Sequence, residues 1–145
     1  MIALKNSERG FTLLEMLLAL TLISSAAFVL MIKLPGYAEQ QKLTLAAEQL
    51  LGEIRDARQA ALAENNSFRI RFSAGEGGHS YQIFRQNTLV KEIQLGNGVK
   101  FTAMPSSLTF NALGRGAGAT VTLQNAAGER KSIIVSPVGM RIRAE

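Results

Sequence analysis

Few residues in this chain have the chemistry of a catalytic site, and their spacing argues against one. The 145 residues include one histidine and no cysteine, which excludes a cysteine nucleophile, a thiolate metal site and a disulfide framework. The histidine, His79, stands in a Gly-Gly-His-Ser sequence that predicts a surface turn. Glu53 and Asp56 lie one helical turn apart, but neighbouring arginines indicate a solvated charged face rather than an acid–base pair. We therefore expect no enzyme activity, no metal and no cofactor.

A glycine-rich stretch has only a superficial likeness to a phosphate-binding loop. Gly114-Arg115-Gly116-Ala117-Gly118 lacks the lysine that such a loop uses. The residues after it alternate as in a strand, whereas a phosphate loop opens a helix. We interpret the stretch as a loop whose glycines supply positive φ angles.

The most unusual charged residue is Glu15, which stands alone in an apolar run from 11 to 32. A helix over that run is about 33 Å long, enough for the ~30 Å hydrocarbon core of a bilayer. A carboxylate inside such a helix costs about 2.5–3.5 kcal/mol on insertion scales, so it implies a partner. Lys5 and Arg9 precede the run, which places the N-terminus in the cytoplasm and the remainder of the chain outside.

Two ordinary interpretations account for this segment incompletely. A secretory signal peptide has an apolar core of about 7–15 residues before a small-residue cleavage site. Ser24-Ser25-Ala26-Ala27 would serve as that site, but the apolar run continues beyond it. A plain membrane anchor explains the length of the run and gives Glu15 no purpose.

A third interpretation rests on the residues around the start of the run. Arg9-Gly10-Phe11-Thr12-Leu13-Leu14-Glu15 resembles a type IV prepilin signal. The resemblance implies that residues 1–10 are a leader, that a prepilin peptidase cleaves between Gly10 and Phe11, and that the Phe11 amine is methylated. It also implies that residues 11–34 form a transmembrane and assembly helix, in which Glu15 pairs with the Phe11 amine of a neighbouring subunit. Because a buried charge is tolerable only when paired, its cost helps to select the axial register of the filament.

After the apolar run, the periodicity of the sequence changes twice. Pro35-Gly36 interrupts the helical pattern. Apolar residues then recur every three or four positions from 43 to 61, the stripe of an amphipathic helix over 37–65 that Asn65 and Asn66 end. A coiled-coil seam is the alternative, but the stripe is short and rich in alanine.

From residue 67 the period is two, with glycine- and asparagine-containing turns between short strands. The pattern predicts strands from residue 68 and over 80–85, 89–95, 99–103, 108–110, 119–124, 129–136 and 140–143. We predict an α+β domain over 35–145, in which the helix packs on one antiparallel sheet spanning 67–143.

This architecture is that of the pilin-like fold, and the C-terminal half resembles a narrower group. Leu108-Thr109-Phe110-Asn111, then Gly114-Arg115 and the sequence VSPVGMR over 135–141, are similar to the minor pseudopilins that include GspH, FimT and ComGD. In that group the terminal Gly and Arg are adjacent, whereas Met140 separates them here. Leu34-Pro35-Gly36-Tyr37 resembles the D-type pseudopilin of Gram-positive competence operons.

The resemblance implies partners and a location. The partners are other major and minor pseudopilins, the prepilin peptidase and inner-membrane assembly proteins. The chain would first be a single-pass protein of the cell membrane and then part of a surface or extracytoplasmic filament.

Charge is distributed unevenly along the chain. Residues 35–66 hold three basic and five acidic side chains, whereas residues 67–145 hold ten basic and four acidic ones. The excess either provides solubility and attraction between subunits or faces a polyanion such as DNA. The candidate DNA or partner contacts are Arg115, Arg130, Lys131, Arg141 and Arg143. No aromatic residue interleaves with them, so such binding would involve phosphates, depend on salt and ignore base sequence.

Three functions are compatible with these features. The favoured one is a minor pseudopilin in a filament for DNA uptake during competence. The alternatives are a minor pseudopilin of a type II protein secretion system and a membrane-anchored binding domain that does not polymerise.

Overall fold

The helix of the fold, α1 (Leu13–Ala63), begins and ends with caps encoded in the sequence. The computed structural model describes residues 11–75, 78–96, 98–137 and 142–144. At the start of α1, Thr12 Oγ1 accepts a hydrogen bond of 3.2 Å from the Glu15 N–H, as in a Thr-x-x-Glu capping box. At its end, Asn65 has φ 50° and the Asn66 N–H donates to the Ala61 carbonyl over 3.1 Å, closing a Schellman motif.

The helix continues through Pro35 and Gly36, where the sequence pattern predicts an interruption. Proline removes one backbone donor and strains the turn before it, but it need not end a helix. The chain nevertheless divides here into two units, Met1–Pro35 and Gly36–Glu145. In the part of the chain that the structure describes, no helix combines the length and the apolar character needed to cross a membrane.

Eight strands follow α1 within the described residues, and they form two four-stranded antiparallel sheets. The strands are β1 (Phe68–Gly75), β2 (Gly78–Arg85), β3 (Thr88–Gln94), β4 (Lys100–Ala103), β5 (Ser107–Phe110), β6 (Ala119–Gln124), β7 (Arg130–Val135) and β8 (Ile142–Ala144). The first sheet has the order β3-β2-β1-β5 and the second has the order β4-β6-β7-β8. The strands predicted from residue 80 onward lie within two residues of these bounds.

The predicted α+β architecture, a helix packed on antiparallel strands, is confirmed, but the strands form two sheets rather than one. β4 and β5 each join the sheet that contains the other strand's neighbours in sequence: β5 lies in the sheet of β1 to β3, and β4 in the sheet of β6 to β8. Pro105 lies in the connection between them and has no N–H to donate to a ladder. β5 therefore returns to pair with β1, where Leu108 is opposite Ile70, while β4 pairs with β6, where Phe101 is opposite Leu123. Periodicity identifies strands but does not assign such long-range partners.

One buried core joins the second half of α1 to both sheets. The six residues of the predicted helix stripe are all buried: Leu43, Ala47, Leu50, Ile54, Ala57 and Ala61. Phe68, Ile70 and Phe72 alternate with exposed residues on β1 and face the same core. Among the described residues, the buried apolar side chains all belong to the unit Gly36–Glu145, so this unit has a core of its own.

Candidate functional site

The first unit exposes apolar side chains around the whole helix. Phe11 and Leu13 are about four-fifths exposed, and large apolar side chains remain exposed at most positions up to Met31. Two hydroxyls in this stretch are satisfied locally, because Thr21 and Ser25 donate to the carbonyls of Leu18 and Leu22. A helix that is apolar all round requires a non-aqueous environment or partner helices. The span predicted over 11–34 includes residues 30 and 32–34, whose side chains lie outside the described residues.

Glu15 occupies the third position of α1, where the capping box uses its backbone N–H. Its carboxylate forms no hydrogen bond or ion pair with any residue that the structure describes. An acidic side chain in the first turn also complements the helix dipole. The assembly role predicted for Glu15 did not include this position at the helix start, which the sequence Thr-x-x-Glu indicates. Gly10 and the leader over 1–10 lie outside the described residues.

The five basic residues proposed as contacts do not form one cluster. Arg130 and Lys131 begin β7, where the Lys131 ammonium donates to Thr44 Oγ1 of α1 over 3.0 Å. Arg143 is opposite Ile134 in the β7–β8 ladder, four strand residues or about 13 Å from Arg130. Arg115 is exposed in the connection between β5 and β6, and Arg141 lies outside the described residues. A ligand that contacts the four described basic residues must therefore be extended.

Two arginines of α1 form long-range hydrogen bonds that their sequence context does not predict. The Arg55 guanidinium donates to the Ile142 carbonyl over 3.3 Å, and Arg58 Nε donates to the Gly114 carbonyl over 3.2 Å. The interpretation of this helix face as merely solvated is therefore wrong, because long-range hydrogen bonds hold β8 and the glycine-rich loop against α1. With Gln59, Leu62 and Ile142, these arginines line an open cavity of about 300 Å³.

The glycine-rich loop is built for close packing and not for phosphate. Gly114 has φ 64°, as predicted, and lies against the side chain of Leu62, whereas Gly116 and Gly118 do not have the predicted positive φ. A Cβ on Gly116 would lie 2.1 Å from the Thr109 carbonyl oxygen. Asn111 Oδ1 already accepts hydrogen bonds from the N–H groups of Leu113 and Arg115, which a phosphate loop would have to leave free.

His79 is a structural residue between the two sheets. The prediction of a surface turn is wrong, because His79 lies in β2 opposite Ala74 and is half-buried. Its Nδ1 accepts a hydrogen bond of 3.1 Å from the Phe101 N–H on β4, and the two rings meet edge to face. The ring nitrogen thus satisfies a backbone donor of the second sheet from a strand of the first.

Comparison with protein families identifies both parts of the chain. Residues 46–139 match the family described as Type II transport protein GspH. Residues 5–31 match the prokaryotic N-terminal methylation motif. The competence protein ComGD of Bacillus subtilis (strain 168) is 30% identical over 110 residues, which are 75% of this chain and 74% of that protein.

Two solved structures are similar to this chain in three dimensions. The type IV minor pilin FimU of Pseudomonas aeruginosa (strain PAO1) has a TM-score of 0.59 at 20% identity, covering 75% of this chain and 92% of FimU. The minor pseudopilin EpsH from the type 2 secretion system of Vibrio cholerae has a TM-score of 0.59 at 10% identity, covering 72% of this chain and 96% of EpsH. At these identities the likeness establishes a shared fold, an N-terminal helix packed on antiparallel sheets.

Proposed function

The chain belongs to the GspH family of type II transport proteins, and from that membership we propose that it is the minor pseudopilin of a filament that takes up DNA during competence. Family, methylation motif and fold make it a pilin-like structural subunit that is anchored in the membrane before it assembles with other pilins. The similarity to ComGD, which extends over about three-quarters of both chains, is the observation that supports the competence role.

The proposed maturation begins in the membrane. The N-terminus is cytoplasmic, the prepilin peptidase cleaves between Gly10 and Phe11, and the Phe11 amine is methylated. Inner-membrane assembly proteins then add the subunit to the major and other minor pseudopilins. Glu15 pairs with the Phe11 amine of a neighbour, and the carboxylate without a partner among the described residues supports this role. The subunit acts through assembly and not through catalysis.

Deletion of the gene in the native host tests the competence role. We expect transformation by added DNA to be lost and secretion of folded proteins to be unchanged. Complementation with the wild-type chain should restore transformation, and complementation with a Gly10 variant that cannot be processed should not. Retained transformation in the deletion strain would contradict the proposal.

A type II secretion role is the second candidate, because the family description and the fold of EpsH both favour it. In that case the same deletion would abolish secretion and leave transformation intact. The third function, a binding domain that does not polymerise, predicts that the processed chain stays in the membrane fraction. A filament subunit should instead appear in the material sheared from the cell surface.

A further inference from the structure

Two arginines of β1 point away from the core, on the outer face of the first sheet. Arg69 and Arg71 are exposed and alternate with buried residues of the same strand. They are two residues apart, so their Cα atoms are separated by about 7 Å. The register places Arg69 beside Thr109 of β5 and Arg71 beside Ser107. Both arginines therefore have small polar neighbours on β5, which leave the guanidinium groups accessible.

A third arginine continues this face at the end of β5. Phe110 is paired with Gly116 in an isolated bridge. The next pair is Asn111 with Arg115, because the Asn111 N–H donates to the Arg115 carbonyl over 2.8 Å. Asn111 and Thr109 are two residues apart, so Arg115 lies on the same face as Thr109. The side chain of Arg115 is exposed there.

The three arginines follow one diagonal across the sheet, and we call Arg69, Arg71 and Arg115 the arginine line. Arg115 is two strand spacings and two residues away from Arg69, which is about 12 Å. Arg71 lies on the other side of Arg69, so the whole line is about 17 Å long. Among the contacts predicted from the sequence that the structure describes, Arg115 alone belongs to this face, because the others are on β7 and β8 of the second sheet.

The charge of the arginine line is not neutralised within the described chain. None of its members forms an ion pair with a described residue, whereas Lys42, Arg85 and Lys91 are each paired with a glutamate. The described strands of this sheet hold one carboxylate, Glu92 of β3, which accepts a hydrogen bond of 3.2 Å from Gln82. Glu92 is two strands away from Arg71, about 10 Å. The face therefore attracts an anion.

An aromatic ring holds one of the guanidinium groups in place. The Arg71 guanidinium lies over the Phe84 ring, 5.2 Å from the ring centre. No acceptor in the described part of the chain engages its N–H groups. A guanidinium is a planar fork of N–H donors that fits phosphate oxygens. Because the ring fixes this fork in advance, less side-chain entropy is lost when an anion binds.

We propose that the arginine line binds the phosphate backbone of DNA, an inference that rests on the competence role proposed above and adds the surface that contacts the substrate. One strand of a duplex carries a phosphate about every 3.4 Å along the axis, so a line of about 17 Å spans about five phosphates. The three guanidinium groups contact phosphates within that length. No base edge is contacted, so binding depends on salt and not on base sequence.

DNA fits this surface better than another pilin does. The centre of a protein interface is depleted in charge and rich in apolar side chains. Apart from Phe84, which Arg71 covers, the neighbours of the arginine line across the ladder are hydroxyl and amide side chains. The exposed apolar residues Leu89 and Val90 are on the edge strand β3, about 10 Å away from β1. Assembly through the apolar helix leaves the arginine line available for a different ligand.

The salt dependence of duplex DNA binding tests the arginine line, with the full-length chain in non-ionic detergent. Arg69→Gln with Arg71→Gln removes two charges and keeps polar side chains. We expect the slope of log affinity against log salt to fall by about 2, so the wild type loses about tenfold more affinity than the variant between about 50 and 200 mM salt. Arg69→Lys with Arg71→Lys keeps the charges and should keep most of the slope. The charge-matched control, Lys42→Gln with Lys100→Gln, alters neither residue of this face and should keep the wild-type slope.

A photo-cross-linker attached to an introduced cysteine locates the DNA directly, because the chain has no native cysteine. Thr109→Cys places the reagent beside Arg69, and Thr120→Cys places it at an exposed threonine of the second sheet. We expect about tenfold more cross-linking to duplex DNA from Thr109→Cys than from Thr120→Cys. Adding Arg69→Gln and Arg71→Gln to the Thr109→Cys chain should abolish the difference.

Three results would overturn the proposal. They are a wild-type slope in the Arg69→Gln, Arg71→Gln chain, an equal loss of slope in the Lys42→Gln, Lys100→Gln control, and equal cross-linking from the two cysteine positions. If the glutamine pair binds DNA normally but no longer enters the sheared filament fraction, the arginine line contacts a neighbouring pilin instead. DNA binding by the purified chain and transformation of the deletion strain are separate measurements, so failure of this contact and failure of the competence role are distinguishable.

Discussion

Glu15 has two possible uses, and they differ in whether they need its charge. The local role of position 15 is a backbone N–H that donates to Thr12 Oγ1 at the helix start, and glutamine or valine supplies it as well as glutamate. Pairing with the Phe11 amine of a neighbour needs the negative charge. We expect Glu15→Gln and Glu15→Val both to insert in the membrane and to be processed, and both to fail to enter filaments. Assembly would be measured as subunit in the sheared fraction, and normal assembly of Glu15→Gln would contradict the ion pair.

Gly10 is the residue on which the prepilin interpretation depends. Replacing it with a bulky residue should leave a full-length precursor on a gel, because the proposed prepilin signal has glycine directly before the cut. Ala27→Leu is the control, since it alters the site that a signal peptidase would use and should leave processing unchanged. N-terminal sequencing should find Phe11 first in the wild type. A mature chain that begins near Ala27 would contradict the interpretation.

Tyr81 connects burial to the pH dependence of stability. Its side chain is buried, and its hydroxyl has no hydrogen-bond partner in the described part of the chain. Burial, together with the nearby Glu53 charge, raises the pKa of the phenol far above its ordinary value of 10.0. Above pH 10 the unfolded chain loses this proton and the folded chain keeps it, so the free energy of unfolding falls as pH rises. We expect Tyr81→Phe to remove that loss, and at pH 7 to be neutral or stabilising by up to about 1 kcal/mol.

The matched control for Tyr81→Phe is Tyr37→Phe, because Tyr37 is the other tyrosine and is 62% exposed. Chemical unfolding of the unit Gly36–Glu145 at several pH values between 7 and 11 measures both variants. If Tyr37→Phe changed the alkaline profile and Tyr81→Phe did not, the assignment to the buried phenol would be wrong.

At the scale of elements, Gly52 and Gly116 are expected to respond in opposite ways to the same substitution, a difference that the sequence alone does not show. Gly116→Ala would force a Cβ into the Thr109 carbonyl, so we expect it to destabilise the unit Gly36–Glu145 by about 1–3 kcal/mol. Gly52→Ala meets open space and should stabilise the same unit by about 1 kcal/mol. Thermal unfolding measures both. A stabilising Gly116→Ala would contradict the close packing of the loop against β5.

The elements that could be predicted from the sequence are those specified locally. The helix stripe and the Asn65 cap are read from spacing and from one residue type, and β6 has the predicted bounds. Two features were beyond local reasoning. His79 follows glycines, as in a turn, but its strand is fixed by pairing with β1, and its hydrogen bond reaches β4. The partition into two sheets likewise depends on pairings between distant segments.

For the whole molecule, the N-terminal signal was predictable because its residues are contiguous in sequence. The surfaces of the second unit were not predictable, because each combines residues from several strands. The net charge indicated that the second half of the chain is basic. Charge alone does not distinguish Arg55, which donates a hydrogen bond to a backbone carbonyl, from Arg69, which forms no ion pair with any described residue. Only the registers show that Arg69 and Phe84 share a face. The alternation of Arg69 and Arg71 with buried residues is the sequence signal that places both arginines on the outer face of β1.

The charge of the second unit makes a last prediction about DNA. The fragment Gly36–Glu145, which has a core of its own, should bind duplex DNA non-specifically with a Kd of roughly 10⁻⁴ to 10⁻⁶ M at physiological salt. Arg141→Ala with Arg143→Ala removes two candidate phosphate contacts, so it should weaken binding and reduce the salt slope by about 2. The equally charged control is Lys42→Ala with Arg85→Ala, whose ion pairs with Glu39 and Glu64 already offset their charge; it should change binding less. If the fragment does not bind at low salt, or the Arg141 and Arg143 variant binds like the wild type, the basic excess serves contacts between subunits.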